Sequence, residues 1–131
     1  MLDLKSLASE SYETAVMAVR HPDTGEDIPG VTITLASMDS ERFRKAKNAI
    51  VNRRLSDMTG RRMTAERAEE ETLDGLAAIT VKWTGIVYDG AEQPCDTDHV
   101  KAVYRKVPWL REQVDMFVGQ RANFLKPSKP E

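Results

Sequence analysis

Val31, Ile33 and Leu35 alternate with Thr32 and Thr34, and within a few residues the chain reaches the helix-capping pair Asp39-Ser40. Successive side chains on a strand point to opposite faces, so three aliphatics share one side and two hydroxyls the other, the pattern of a strand half covered by a core. Beyond Asp39 the apolar spacing becomes helical. A chain that changes period in this way is constrained to an α+β fold with its strands first. Residues 14–20 also have strand character, and Pro22-Asp23-Thr24-Gly25 between the two segments reads as a turn, because Asp and Thr can bond nearby backbone and Gly takes a positive φ. The prediction is an N-terminal β-hairpin. Ile28-Pro29-Gly30 lengthens its connection and leaves the register open.

About four amphipathic helices are expected after the hairpin. Asp39 or Ser40 can cap the first, Glu41 suits its positive end, and Phe43, Ala46, Ile50 and Leu55 fall near one face while the other is mostly basic. A break at Thr59-Gly60 precedes a second helix, capped at Thr64, with an acidic start and an apolar stripe of Leu73, Leu76, Ile79 and Trp83. Gly75 weakens it by about 1 kcal/mol relative to Ala, which suits a bend or a close helix contact. The β-branched run Ile79-Thr80-Val81 blurs its end. Gly85 and Asp89-Gly90 punctuate a loop; Asp96 or Thr97 opens a short helix carrying Val100, Val103, Tyr104 and Val107; Pro108 opens the last, with Leu110, Val114, Phe117, Val118 and Leu125 on its apolar face. Residues 1–125 thus form a single domain, and 126–131, with Pro127 and Pro130, a mobile tail.

At 131 residues the chain can bury roughly two-thirds of its extended surface in one core. Its 40% hydrophobic and 31% charged content is globular, and a net charge of −2 supplies no global field for nucleic acid or anionic membrane. One cysteine, Cys95, rules out an internal disulfide and a multi-cysteine zinc site. Met1-Leu2-Asp3-Leu4-Lys5-Ser6 has neither a basic leader nor a sustained apolar core, and no apolar run reaches bilayer length, so the expectation is a protein that stays where it is made.

Chemistry-bearing clusters have ordinary explanations. Cys95-Asp96-Thr97-Asp98-His99 gathers ligand types, but consecutive residues do not readily aim at one ion, and Asp and Thr are helix caps. His21 sits in a turn. Glu69, Glu70 and Glu71 suit a helix start, and the glycines lack phosphate-cradling spacing. Catalysis, a metal and a cofactor are therefore not expected. The basic residues Arg42, Arg44, Lys45, Lys47, Arg53, Arg54, Arg61, Arg62 and Arg67 could contact phosphates, making a nucleic-acid-binding regulator that uses residues 42–67 the alternative. Against it, the span has one aromatic, Phe43, and is followed by acids that could neutralise it.

In a chain with only 6% aromatic residues, both tryptophans and two of three phenylalanines fall from residue 83 onward. There, Trp83-Thr84-Gly85, Tyr88-Asp89-Gly90, Pro94, Pro108-Trp109-Leu110, Gln113-Val114, Phe117 and Arg121-Ala122-Asn123-Phe124-Leu125 follow one another in an order that resembles the C-terminal half of the tail assembly chaperones of long-tailed, non-contractile bacteriophages. A weaker match lies upstream, in His21-Pro22-Asp23-Thr24-Gly25-Glu26, the alternating Val31, Ile33, Leu35, and Asp39-Ser40. The resemblance implies a protein of the host bacterial cytoplasm that binds the helix-rich tape measure protein, keeps it soluble and extended, helps recruit tail tube subunits and is absent from the virion. It also implies a longer, frameshifted form that contacts the tail tube protein; this chain resembles the shorter form, and self-association stays open. Exposed apolar residues would do the binding. Trp109, Phe117, Phe124 and Leu125 are the candidates because their helix adjoins the tail, although such residues at helical spacing also serve as core.

Overall fold

The computed structural model describes residues 13–57 and 63–125, together with Leu4. The expected break at Thr59-Gly60 and the tail at 126–131 lie outside the described residues. The predicted hairpin is formed by β1 (Thr14–Arg20) and β2 (Asp27–Ala36), antiparallel, with Met17 opposite Ile33 and Ala15 opposite Leu35. A shift between Ala18 and Arg20 absorbs the longer connection. The alternation holds, since Ile33 and Leu35 are fully buried while Thr32 and Thr34 are not.

The sequence reading missed a third strand. Helix 2 was expected to carry its stripe to Trp83, but it stops at Ile79 and the chain runs directly into β3 (Thr80–Thr84), antiparallel to β2 in a sheet ordered β1-β2-β3. The β-branched Thr80 and Val81 favour the strand, and Trp83 finds a fixed seat there. Its Nε1–H donates to the Gln93 carbonyl (2.9 Å) and its ring meets Tyr104 edge-on at 6.3 Å. Pro29 lies before the stretch of β2 that pairs with β3, so its missing N–H costs no ladder bond on that side. Gly85 follows at φ 72°, where a Cβ would fall 2.4 Å from the Gly30 carbonyl oxygen, so the turn admits no side chain. The expected loop then folds into a second hairpin, β4 (Val87–Tyr88) and β5 (Ala91–Glu92), turning at Asp89-Gly90, both with positive φ as a type I′ turn requires.

The helices are α1 (Glu41–Ser56), α2 (Ala65–Ile79), α3 (Thr97–Lys106) and α4 (Pro108–Val118), with a 3-10 turn at Arg121–Phe124. Ser40, not Asp39, caps α1, accepting from the Phe43 N–H at 3.2 Å; Asp39 pairs with Arg121 at 2.6 Å. Thr64 caps α2 and Asp96 caps α3. α4 is shorter than the sequence suggests: it ends at Val118, so Leu125 is not on its face and Phe124 returns to the protein through the 3-10 turn.

One face of the sheet packs against α2, α3, α4 and Phe124 to form the core. A polar seam beneath β3 is satisfied internally. The Thr80 hydroxyl donates to the Leu76 carbonyl and is also hydrogen-bonded to the Tyr104 hydroxyl, each at 2.8 Å, and burial pushes the Tyr104 hydroxyl well above its ordinary pKa. β1 and α4 also meet. The Gln113 side-chain amide donates to the Arg20 carbonyl (2.7 Å) and accepts from the Arg20 N–H (2.9 Å), completing the backbone bonding at the end of β1 as a neighbouring strand would. No helix among the described residues is long and apolar enough to cross a membrane.

Candidate functional site

Among the described helices only α1 buries no residue. Phe43, Ala46 and Ile50 form a narrow stripe between basic residues, wide enough to rest on α2 but not to enter the core. Leu55, expected on that stripe, is 72% exposed, because at the last turn the helix directs it away from α2. Charge pairs supplement the weak apolar contact. Arg53 reaches Asp74 (3.1 Å), Arg54 Nε donates to Glu71 (2.9 Å), and Arg67 lies within 3.5 Å of both Asp57 and Glu71. The acids of α2 also tie it to its other neighbours: Asp74 to Lys101 at 2.6 Å, Glu70 to Lys101 and Arg105, and Glu69 to Arg111 at 3.3 Å.

The hydrogen bond from Arg54 holds the Glu71 carboxyl below its ordinary range. Burial pushes Asp74 up, but hydrogen bonds from Lys101 and Arg53 together outweigh it and leave this carboxyl lowered as well. Those same pairs bear on the basic span. Arg42 donates to the Ala78 carbonyl, Arg44 pairs with Glu41 at 2.6 Å, and Arg53, Arg54 and Arg67 face acids, while Arg61 and Arg62 lie outside the described residues. Lys45 and Lys47 keep no ion pair among the described residues.

What α1 leaves uncovered is a groove of about 270 Å³ between α1, α2 and α4. Phe43, Ile50, Leu76, Ile79 and Val118 line it, with Gly75 at the floor, where a Cβ would stand an ordinary 3.8 Å from the Phe43 ring. A Cβ would fit here without crowding, so the contact between α1 and α2 does not require glycine at this position. Met38 and Val51 extend the apolar lining to the surface, 44% and 39% exposed. Lys47 and Arg54 rim the α1 side, Asp115 the α4 side, and Glu71 lies between them, bound to Arg54.

The four candidate contact residues do not form one surface. Trp109 is exposed at the start of α4 and Leu125 is 44% exposed. Phe117 is half-buried, with its ring edge-on to Phe124 at 5.7 Å. Phe124 is 1% exposed and belongs to the core, which corrects the expectation that it meets a partner: the 3-10 turn carries its ring inward. None of the four lines the groove. Sequence reasoning passed over Met38 and Val51; Val51 beside Ile50, widening the stripe of α1 toward solvent, was the available signal.

The Cys95–His99 cluster is a helix start. Asp96 accepts from the His99 N–H (2.9 Å) and contacts the His99 ring nitrogen (2.8 Å), while burial pushes the Cys95 thiol above its usual range. The His21 ring nitrogen accepts from the Asp23 N–H at 3.1 Å and so braces its own turn. Comparison with protein-family models, with curated proteins and with solved structures gives no match.

Proposed function

We propose that this protein is a tail assembly chaperone of a long-tailed, non-contractile bacteriophage, acting in the host bacterial cytoplasm by binding rather than by catalysis. The order of residues from Trp83 to Leu125 supports the family, and the open groove beside α1 is the observation that carries the activity. A helix-rich tape measure protein exposes apolar stripes that aggregate in water, and a protein that offers an apolar groove on a charged surface can cover such a stripe reversibly. Recruitment of the tail tube protein belongs, on this reading, to a longer frameshifted form. Arg44, Arg53, Arg54 and Arg67 of the basic span pair with acids, so the regulator reading has less support.

Co-expression with the tape measure protein of the same tail gene cluster tests the proposal. The expected result is a soluble tape measure protein that co-purifies with this chain in moderate salt. A tape measure protein that is well expressed yet stays insoluble and unbound sinks the reading.

A further inference from the structure

We propose that the groove between α1, α2 and α4 seats an amphipathic helix of split character, with carboxylates along the flank that faces α1 and basic side chains along the flank that faces α4. This deepens the preceding section and rests on its reading that the protein holds a helical partner. The groove's volume, about 270 Å³, is nearly twice the roughly 150 Å³ of an engineered apolar cavity that accepts benzene, so it takes two large apolar side chains. Residues one turn apart on a helix rise about 6 Å and share a face, which matches two such anchors.

The rims select the flanks. On the α1 side Lys47 is exposed and has no ion pair among the described residues. On the α4 side Asp115 is exposed and equally without one, and Glu112, one turn earlier, lines the continuation of the groove past Leu76. Arg54 and Glu71 already satisfy each other across the floor and do not discriminate. A second copy of this chain that lays α1 on α1 fits poorly, because each α1 has six basic residues and one acid; a copy that lays α1 on α4 is the competing occupant, and the oligomeric state separates it from a helix.

Binding of three synthetic helical peptides to the full chain tests this, using one leucine stripe with split Glu/Lys flanks, with Glu on both flanks, or with Lys on both. The split peptide binds tightest, by about fivefold over either uniform peptide at low salt, and the margin shrinks as salt rises. Lys47→Glu and Asp115→Lys each weaken the split peptide by about two- to fivefold. The double variant recovers it, because the helix reverses its direction and presents its flanks to the exchanged rims. Val51→Glu, at an exposed position, abolishes binding of all three while far-ultraviolet circular dichroism stays unchanged. Equal binding of the three peptides, no binding, no recovery in the double variant, or a wild-type dimer that Val51→Glu dissociates each overturns the proposal. If any of these occurs while the tape measure protein still co-purifies, the groove assignment fails and the chaperone reading survives; an unbound tape measure protein removes the reading itself.

Discussion

Both sides of α2 carry ion pairs, but only one of them carries a core. Toward the sheet, α3 and α4, it contributes Leu73, Leu76 and Ile79 to a core in which Ile33, Leu35, Tyr104 and Val114 are fully buried. Toward α1 it offers acids, and α1 answers with arginines and a stripe that buries nothing completely. A fully buried aliphatic or aromatic side chain contributes about 1.5–3 kcal/mol, whereas an exposed ion pair contributes about 0–1 kcal/mol. The core side therefore decides the fold, and the α1 side is held loosely enough to leave apolar surface open. A helix can belong to a domain without being part of its core, and in that position its apolar edge is free for a partner.

Substitutions can break or sharpen this contrast. Phe124→Ala, on the core side, should destabilise by about 3–5 kcal/mol in urea unfolding, a test of whether this residue is core or contact. Thr80→Val leaves the Tyr104 hydroxyl without its partner, and a loss of about 1–3 kcal/mol is expected from the same measurement. Gly75→Ala lies at the boundary of the two sides. With φ unremarkable and 3.8 Å to Phe43, it should stabilise by about 1 kcal/mol in thermal unfolding; destabilisation would mean that the floor of the groove is tighter than described.

The smallest effect belongs to the ion pairs. Glu71 and Asp74 are lowered in the folded state, so the stability they add is present above their ordinary values of 4.5 and 3.8 and is lost as pH falls through the still lower folded values. Hydrogen exchange should show α1 amides losing protection in acid before those of β2 and α3. Simultaneous loss would erase the distinction between the two sides.

Much of the closed side was legible in the sequence. Val31, Ile33 and Leu35 announced a strand, Thr64 and Pro108 marked helix starts, and the valines of α3 fell on its buried face. β3 was not, because Leu73, Leu76 and Ile79 continue to Trp83 at helical spacing, and the β-branched Thr80 and Val81 become a strand only where β2 is there to pair with them. Phe124 was misread for a related reason: a 3-10 turn reverses the direction that helical periodicity assigns. Of the groove, only the widened apolar edge of α1 at Ile50-Val51 was legible. The groove itself requires three elements to converge, and residues such as Met38 and Asp115 carry no local sign of sharing a surface.

The contact between Gln113 and Arg20, 93 residues apart, and the groove that Ile50 and Val118 both line give the molecule a timetable. Roughly 70 residues separate Ile50 from Val118, and at about 5–20 residues per second a ribosome needs on the order of 4–14 s to add them. Until then neither β1 nor the groove has its last wall. On the proposed reading, binding competence arrives late, when α4 docks, and a nascent chain captures no partner before the groove has its last wall.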